Sequence, residues 1–168
     1  METTPDQAHG RERLRCLARA GLLTGIVDGL FAITLAEGFY GSTWARMFQG
    51  VASVPLGRGA FEGGLATVAA GVLLHFAVAF GWSGVFLFLV LRWSWARSVL
   101  GSPHGIVKVA LLYGPFVWCV MSLVVIPLFL QRPPAVGVRW WVNFVGHFPF
   151  VGIPIVASSA RAIRPSGE

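Results

Sequence analysis

Residues 65–91 read LATVAAGVLLHFAVAFGWSGVFLFLVL, an apolar run in which His75 is the one ionisable residue. A helix rises about 1.5 Å per residue and needs about 20 such residues to cross roughly 30 Å of hydrocarbon. The run exceeds that length, with enough over to tilt or to project into the interface. Three more stretches meet the same requirement on either side of it. Leu17 to Phe39 precedes it, interrupted by Asp28 and Glu37. Val109 to Leu130 follows, beginning just after Lys108 and ending around Pro127. Trp141 to Ala160 comes last and carries Asn143, His147, Pro149 and Pro154. The expectation is an all-α polytopic membrane protein with four transmembrane helices.

Composition supports this choice. Of 168 residues, 55% are hydrophobic and 12% charged, and the mean hydropathy is +0.71. An ordinary globular chain carries about twice that charge, and a soluble domain of this size could not hide so much apolar surface. The net charge is +6 and the isoelectric point near 10.7. No basic stripe interleaved with aromatics accompanies that charge, so nucleic acid is not an expected partner. The arginines flank the apolar runs instead, which suits headgroup contact and topology setting. Cys16 and Cys119 stand apart without metal or redox spacing, so neither a disulfide framework nor a metal site is expected. A free cysteine behaves as a small hydrophobe.

Arg11, Arg13, Arg15 and Arg19 ahead of an apolar run resemble the basic region of a signal peptide. That run contains Asp28 and reaches Tyr40 without a convincing cleavage site, so it reads as a retained first span. Residues 1–10 are expected to form a disordered tail, and residues 11–168 a single four-helix domain. Between the first two spans, Trp44, Met47, Phe48 and Val51 recur at helical spacing beside Arg46 and Gln49. That segment is too short to cross and reads as an interfacial helix with its apolar face on the lipid boundary. A hinge of Pro55, Gly57, Gly59, Gly63 and Gly64 follows it.

Lys and Arg number nine on the side of the termini and of the link from Arg92 to Lys108. The other side has four: Arg46, Arg58, Arg132 and Arg139. Positive residues favour the cytoplasm, so both termini are expected there, in the cytoplasmic (inner) membrane of a bacterium. Trp93, Trp95, Trp140 and Trp141 then fall at the interfaces.

Ionisable groups within spans are costly and mark candidate functional sites. Gly21, Gly25 and Gly29 repeat every four residues, a small-residue face of the kind that lets helices approach closely, and Asp28 lies on or beside it. Thr67, Gly71, His75 and Ala79 form a second such face, so the first two spans are expected to pack by these surfaces. Counted from the outer ends, Asp28 lies about 18 Å deep, His75 about 15 Å and His147 about 9 Å, with Asn143 one turn before His147. Asp28, His75, Asn143 and His147 are therefore the candidate polar cluster, and Gly21, Gly25, Gly29 and Gly71 the candidate packing positions. Three uses fit such a cluster: a proton relay, because imidazole titrates near neutrality; a haem or pigment held between helices by His75 and His147; or hydrogen-bonded structural glue. Glu37 and Glu62 lie near the outer interface, where water can solvate them. His104 lies in a link and His9 in the tail, and neither has an evident partner.

No G-x-S-x-G, H-E-x-x-H, Walker loop or G-x-G-x-x-G is present, so no catalytic residues and no enzyme activity are expected. The glycines from Gly57 to Gly64 follow no strand and cradle no phosphate.

The order H-F-x-x-A-F (His75 to Phe80), the spacing Gly105 to Gly114, Met121, Ile126-Pro127-Leu128, Pro133-Pro134, Trp140-Trp141 and Gly146-His147 resembles the bacterial inner-membrane proteins of the YagU type. The resemblance runs from Leu65 to Ile155. It implies a similar size and helix count and an association with tolerance of acid. It includes His75 and His147 and leaves out the first span, hence Asp28. The leading expectation is a non-enzymatic accessory or stress-related membrane component that acts through helix packing, with no cofactor. Its partners would be the lipid bilayer and other membrane subunits or further copies of itself. The alternative is a small proton-linked channel or transporter using Asp28, His75 and His147. A haem- or pigment-binding subunit stands third.

Overall fold

The computed structural model describes residues 5–161, and among these every regular element is helical. Helix α1 spans Pro5–Gly38, α2 Trp44–Leu56 and α3 Gly64–Arg92, with a short 3-10 turn at Arg58–Phe61 before α3. Helix α4 covers Ser94–Gly101 and α5 Gly105–Val120, which a wide turn at Met121–Val125 joins to α6, Ile126–Leu130. Helix α7 covers Val138–His147, and a second wide turn at Phe148–Gly152 joins it to α8, Ile153–Arg161. Four continuous stretches are long and apolar enough to cross a membrane: Gly10–Gly38, Gly64–Arg92, Gly105–Leu130 and Val138–Ala160.

The first helix extends past its apolar run because hydropathy marks only the part suited to lipid. Arg11, Glu12, Arg13 and Arg15 continue the helix as an exposed polar turn. Of the expected tail, residues 1–4 lie outside the described residues, and α1 begins at Pro5.

The last two stretches share a device. Ile126 donates its N–H to Met121 O and Ile153 donates to Phe148 O, each five residues back, and each isoleucine is followed by a proline, Pro127 or Pro154. A proline ring has no N–H and crowds the carbonyl four residues before it. Widening the preceding turn by one residue relieves the crowding while the helix stays continuous.

Helix α2 differs from the expectation of an apolar face laid on lipid. It packs chiefly on α3, burying Phe48, Gln49, Ala52 and Ser53 and leaving Trp44 exposed. The cause is Gly71, where any Cβ would collide with the main-chain carbonyl of Phe48, so the two backbones touch. Gly71 thus serves α2, and it is the glycine stripe of α1 that meets α3. The start of α2 is fixed by Thr43, whose Oγ1 accepts from Arg46 N at 3.1 Å, and by Glu37, whose Oε1 accepts from Trp44 N at 3.2 Å. At the opposite end of the bundle, Arg97 donates from Nη1 to Val90 O and Leu91 O at 3.0 and 2.9 Å, satisfying carbonyls at the end of α3.

A hydrophobic core cluster occupies the half of the bundle nearer the chain termini. It joins Phe86 and Val90 of α3, Ala110, Tyr113 and Val117 of α5, and Val151, Ile155 and Val156 of the last helix. Tyr113 ties it laterally by donating its hydroxyl to Trp82 O at 2.7 Å.

Candidate functional site

Two faces of α1 build the site. Gly21, Gly25 and Gly29 turn towards α3 and meet Phe80, Phe76 and His75 in that order, the reversed numbering expected of antiparallel neighbours. A Cβ on Gly29 would stand 3.3 Å from His75 Nε2. The adjoining face repeats every four residues through Cys16, Ala20, Thr24 and Asp28 and turns towards the last helix. Cys16 Sγ lies 3.4 Å from Ser158 O, and Phe31, further along, stacks on Phe150 with ring centroids 4.4 Å apart. Asp28 stands where the two faces meet, with His75 and His147 as neighbours.

His75 places Nε2 2.9 Å from the main-chain oxygen of Gly25. A carbonyl oxygen only accepts, so Nε2 carries the hydrogen and Nδ1 keeps the lone pair of the neutral ring. His147 places Nδ1 2.7 Å from Asn143 O, which by the same argument leaves Nε2 as its basic nitrogen. The rings are held by aromatic neighbours. Phe48 and Phe76 approach His75 edge-on at 5.9 and 5.7 Å, and Trp118 lies against His147 at 4.7 Å.

Asp28 has both imidazoles, His75 and His147, in its neighbourhood. Among the described residues, however, no hydrogen bond joins Asp28 to either ring. The groups are also too spread to share an ion at ligand distances of about 2 Å, since no three His, Cys, Asp or Glu side chains among the described residues converge closely enough to hold a metal. Asp28, His75 and His147 thus form one electrostatic unit with two histidines oriented by the main chain. Each retains one ring nitrogen without a hydrogen-bond partner among the described residues.

Asn143 joins this unit only through its carbonyl. Its side-chain amide donates from Nδ2 to Arg139 O at 2.8 Å, back along its own helix, so the carboxamide is not a member of the cluster. Two neighbours were not singled out from the sequence. Thr24, one turn from Asp28, is 2% exposed and its hydroxyl has no hydrogen-bond partner; its four-residue spacing from Asp28 was readable. Trp118 also has a buried Nε1 without an acceptor. Nearby, Trp140 donates its Nε1 to Ser122 Oγ at 2.8 Å, and Ser122 donates to Trp118 O at 2.6 Å, pinning α7 to the wide turn after α5.

Comparison with protein-family models, with curated proteins and with solved structures returned no match to the chain.

Proposed function

We propose that the chain is a non-enzymatic, multi-pass protein of a bacterial cytoplasmic membrane, with both termini in the cytoplasm, that binds and releases protons at Asp28, His75 and His147. The single observation that carries this reading is the state of the cluster. An intramembrane carboxylate faces two histidines, each locked by a main-chain acceptor into the tautomer that leaves its other nitrogen free. A purely structural polar cluster would be expected to close on itself by direct hydrogen bonds, because unsatisfied polar groups are costly away from water. Here both rings bond main-chain oxygens and no direct hydrogen bond joins the acid to either of them. Helix α2 then sits at the outer boundary as an interfacial element leaning on α3. Kinship with the YagU-type proteins is a further proposal, and it rests on the short motifs between His75 and His147 alone.

The test is proton uptake by the full-length protein in lipid vesicles after a pH jump. Asp28→Asn should abolish the uptake attributable to the protein while leaving its assembly, judged by gel filtration in detergent, intact. Uptake by the Asn variant equal to that of the unaltered protein would sink the proposal.

A second reading, an accessory subunit acting through helix packing, is favoured by one observation: the glycine stripe of α1 is fully occupied by Phe80, Phe76 and His75. On that reading Gly25→Leu breaks assembly and Asp28→Asn is silent. A Soret or pigment band lost on His75→Ala would overturn both readings.

A further inference from the structure

Asp28 lies midway, both along and around α1, between two contacts of one kind. A helical residue advances about 1.5 Å along the axis and about 100° around it. Gly25 and Phe31, three residues before and after Asp28, are therefore each about 4.5 Å from it along the axis and about 60° from it around the helix, on opposite sides.

At Gly25 a ring enters from α3. A Cβ there would overlap the Phe76 ring, and the main-chain oxygen of the same glycine accepts from His75 Nε2 at 2.9 Å. At Phe31 the roles are exchanged. The ring belongs to α1 and the notch to α7, where a Cβ on Gly146 would overlap the tip of the Phe31 ring. Phe150 stacks on the same ring, with centroids 4.4 Å apart and planes inclined by 24°.

In both contacts the next residue in sequence is a histidine of the cluster: Phe76 follows His75, and Gly146 precedes His147. His75 and His147 are the titratable neighbours of Asp28, and Asp28 and His75 those of His147. The other elements packed against the two imidazoles present aromatic rings. Trp118 of α5 lies 4.7 Å from His147 and Phe48 of α2 lies 5.9 Å from His75, and neither is ionisable. Glu37 of α1, Arg92 of α3, Lys108 of α5 and Arg139 of α7 are exposed towards the helix ends.

The last span is also backed from behind. A Cβ on Gly114 of α5 would run into the main-chain oxygen of His147, so the two backbones touch there. The separation of Asp28 from each imidazole then depends on how closely α1 seats against α3 and against α7. Phe76 and Phe31 are the side chains that set this seating nearest to Asp28. Interaction between charged groups falls with separation and is strong where water is scarce, so a small reseating of α1 is felt in the titration of the ring concerned.

We infer that Phe31 and Phe76 are positioning residues of the proton site: Phe31, seated in the Gly146 notch, sets Asp28 against His147, and Phe76, seated in the Gly25 notch, sets it against His75. The inference rests on the proton-binding reading, which supplies the chemistry. Each lock serves one histidine, so the two can be undone separately.

The experiment follows the ring signals of His75 and His147 by NMR through a pH titration of the full-length chain in detergent micelles. Histidine is isotopically labelled, and His75→Gln and His147→Gln identify the signals. In the otherwise unaltered chain, Asp28→Asn should move the midpoints of both titrations. In Phe31→Leu, the effect of Asp28→Asn on His147 should shrink by about half or more while its effect on His75 is kept. Phe76→Leu should give the converse. Gly146→Ala displaces the Phe31 ring from the opposite side and should reproduce Phe31→Leu, and Gly25→Ala should likewise reproduce Phe76→Leu. Phe31→Met, which keeps bulk in the notch, should restore the coupling to His147.

Equal loss at both histidines, or loss at neither, in variants that assemble on gel filtration overturns the inference and leaves the rings as packing alone. Failure of all four variants to assemble overturns it too, because the rings would then support the whole bundle. If Asp28→Asn moves neither midpoint in the otherwise unaltered chain, the proton-binding reading falls and the inference with it. If Asp28 couples to both histidines and the ring variants do not separate them, that reading stands and only the inference falls.

Discussion

His75 on α3 donates its Nε2 hydrogen to the main-chain oxygen of Gly25 on α1 across 2.9 Å, in a notch that exists only because positions 25 and 29 lack side chains. The same contact orients a titratable ring and closes a helix interface, so function and packing meet in one bond. Replacing His75 with Phe keeps the bulk and removes the bond. Hydrogen bonds between membrane helices average about 0.6 kcal/mol and reach about 1.7. A loss in that range is expected for His75→Phe in a denaturant titration of the detergent-solubilised protein, and a loss near zero would show that the contact is incidental.

Gly25→Ala tests the notch itself. The added Cβ would stand 2.5 Å from the Phe76 ring, which has to shift. Overpacking costs about 1–3 kcal/mol, so the same titration should show destabilisation of that size. Gly25→Leu should go further and yield aggregated or unassembled protein on gel filtration.

Gly71→Ala should release α2. Here the obstacle is the Phe48 main chain, which cannot rotate aside as a ring can. Cysteines introduced into α2 and α3 beside the Phe48–Gly71 contact, in a chain with Cys16 and Cys119 replaced by serine, would report the docking by crosslinking. The glycine-to-alanine change should slow that crosslinking several-fold, and an unchanged rate would mean that α2 is held elsewhere.

Trp140→Phe removes the Nε1 donor that Ser122 Oγ accepts at 2.8 Å. A double-mutant cycle with Ser122→Ala should return a coupling energy of about 0.6–1.7 kcal/mol. A coupling of zero would indicate that the two residues bond other partners in the membrane.

Thr43→Ala and Glu37→Gln test the start of α2. Loss of the Thr43 cap should cost about 1 kcal/mol of local stability, seen as faster amide exchange in residues 44–48. Gln retains an oxygen at position 37 and should be nearly silent, whereas Glu37→Ala should add to the loss.

The four long helices were readable because apolar run length is a one-dimensional property. Leu65 to Leu91 needed no partner to be recognised. Their ends were less readable: hydropathy starts the first run at Leu17, while the helix continues through Arg15 and Glu12, where water satisfies the side chains. Counted from residue numbers, Asp28, His75 and His147 spread from about 18 to about 9 Å in depth, in part because hydropathy starts the last span at Trp141 whereas its helix begins at Val138. Their hydrogen-bond acceptors could not be read, since Gly25 O and Asn143 O belong to the main chain and every residue has one. The role of Gly71 was half legible. A small residue announces a close approach, but only the three-dimensional arrangement says that α2 makes it and α1 does not. Asn143 misled because a polar side chain one turn from a histidine suggests a pair, whereas its amide finds Arg139 O on its own helix.

The wide turns before Ile126 and Ile153 each hold one surplus residue of chain inside an otherwise regular rod. Because each helical residue advances the azimuth by about 100°, drawing in or passing on that surplus would swivel the flanking segment by roughly a quarter turn without unravelling it. His147 adjoins one of these stores and Ser122 lies in the other. The third and fourth rods therefore carry built-in slack beside the ionisable centre, whereas the first and second, gripped ring into notch, have none to give.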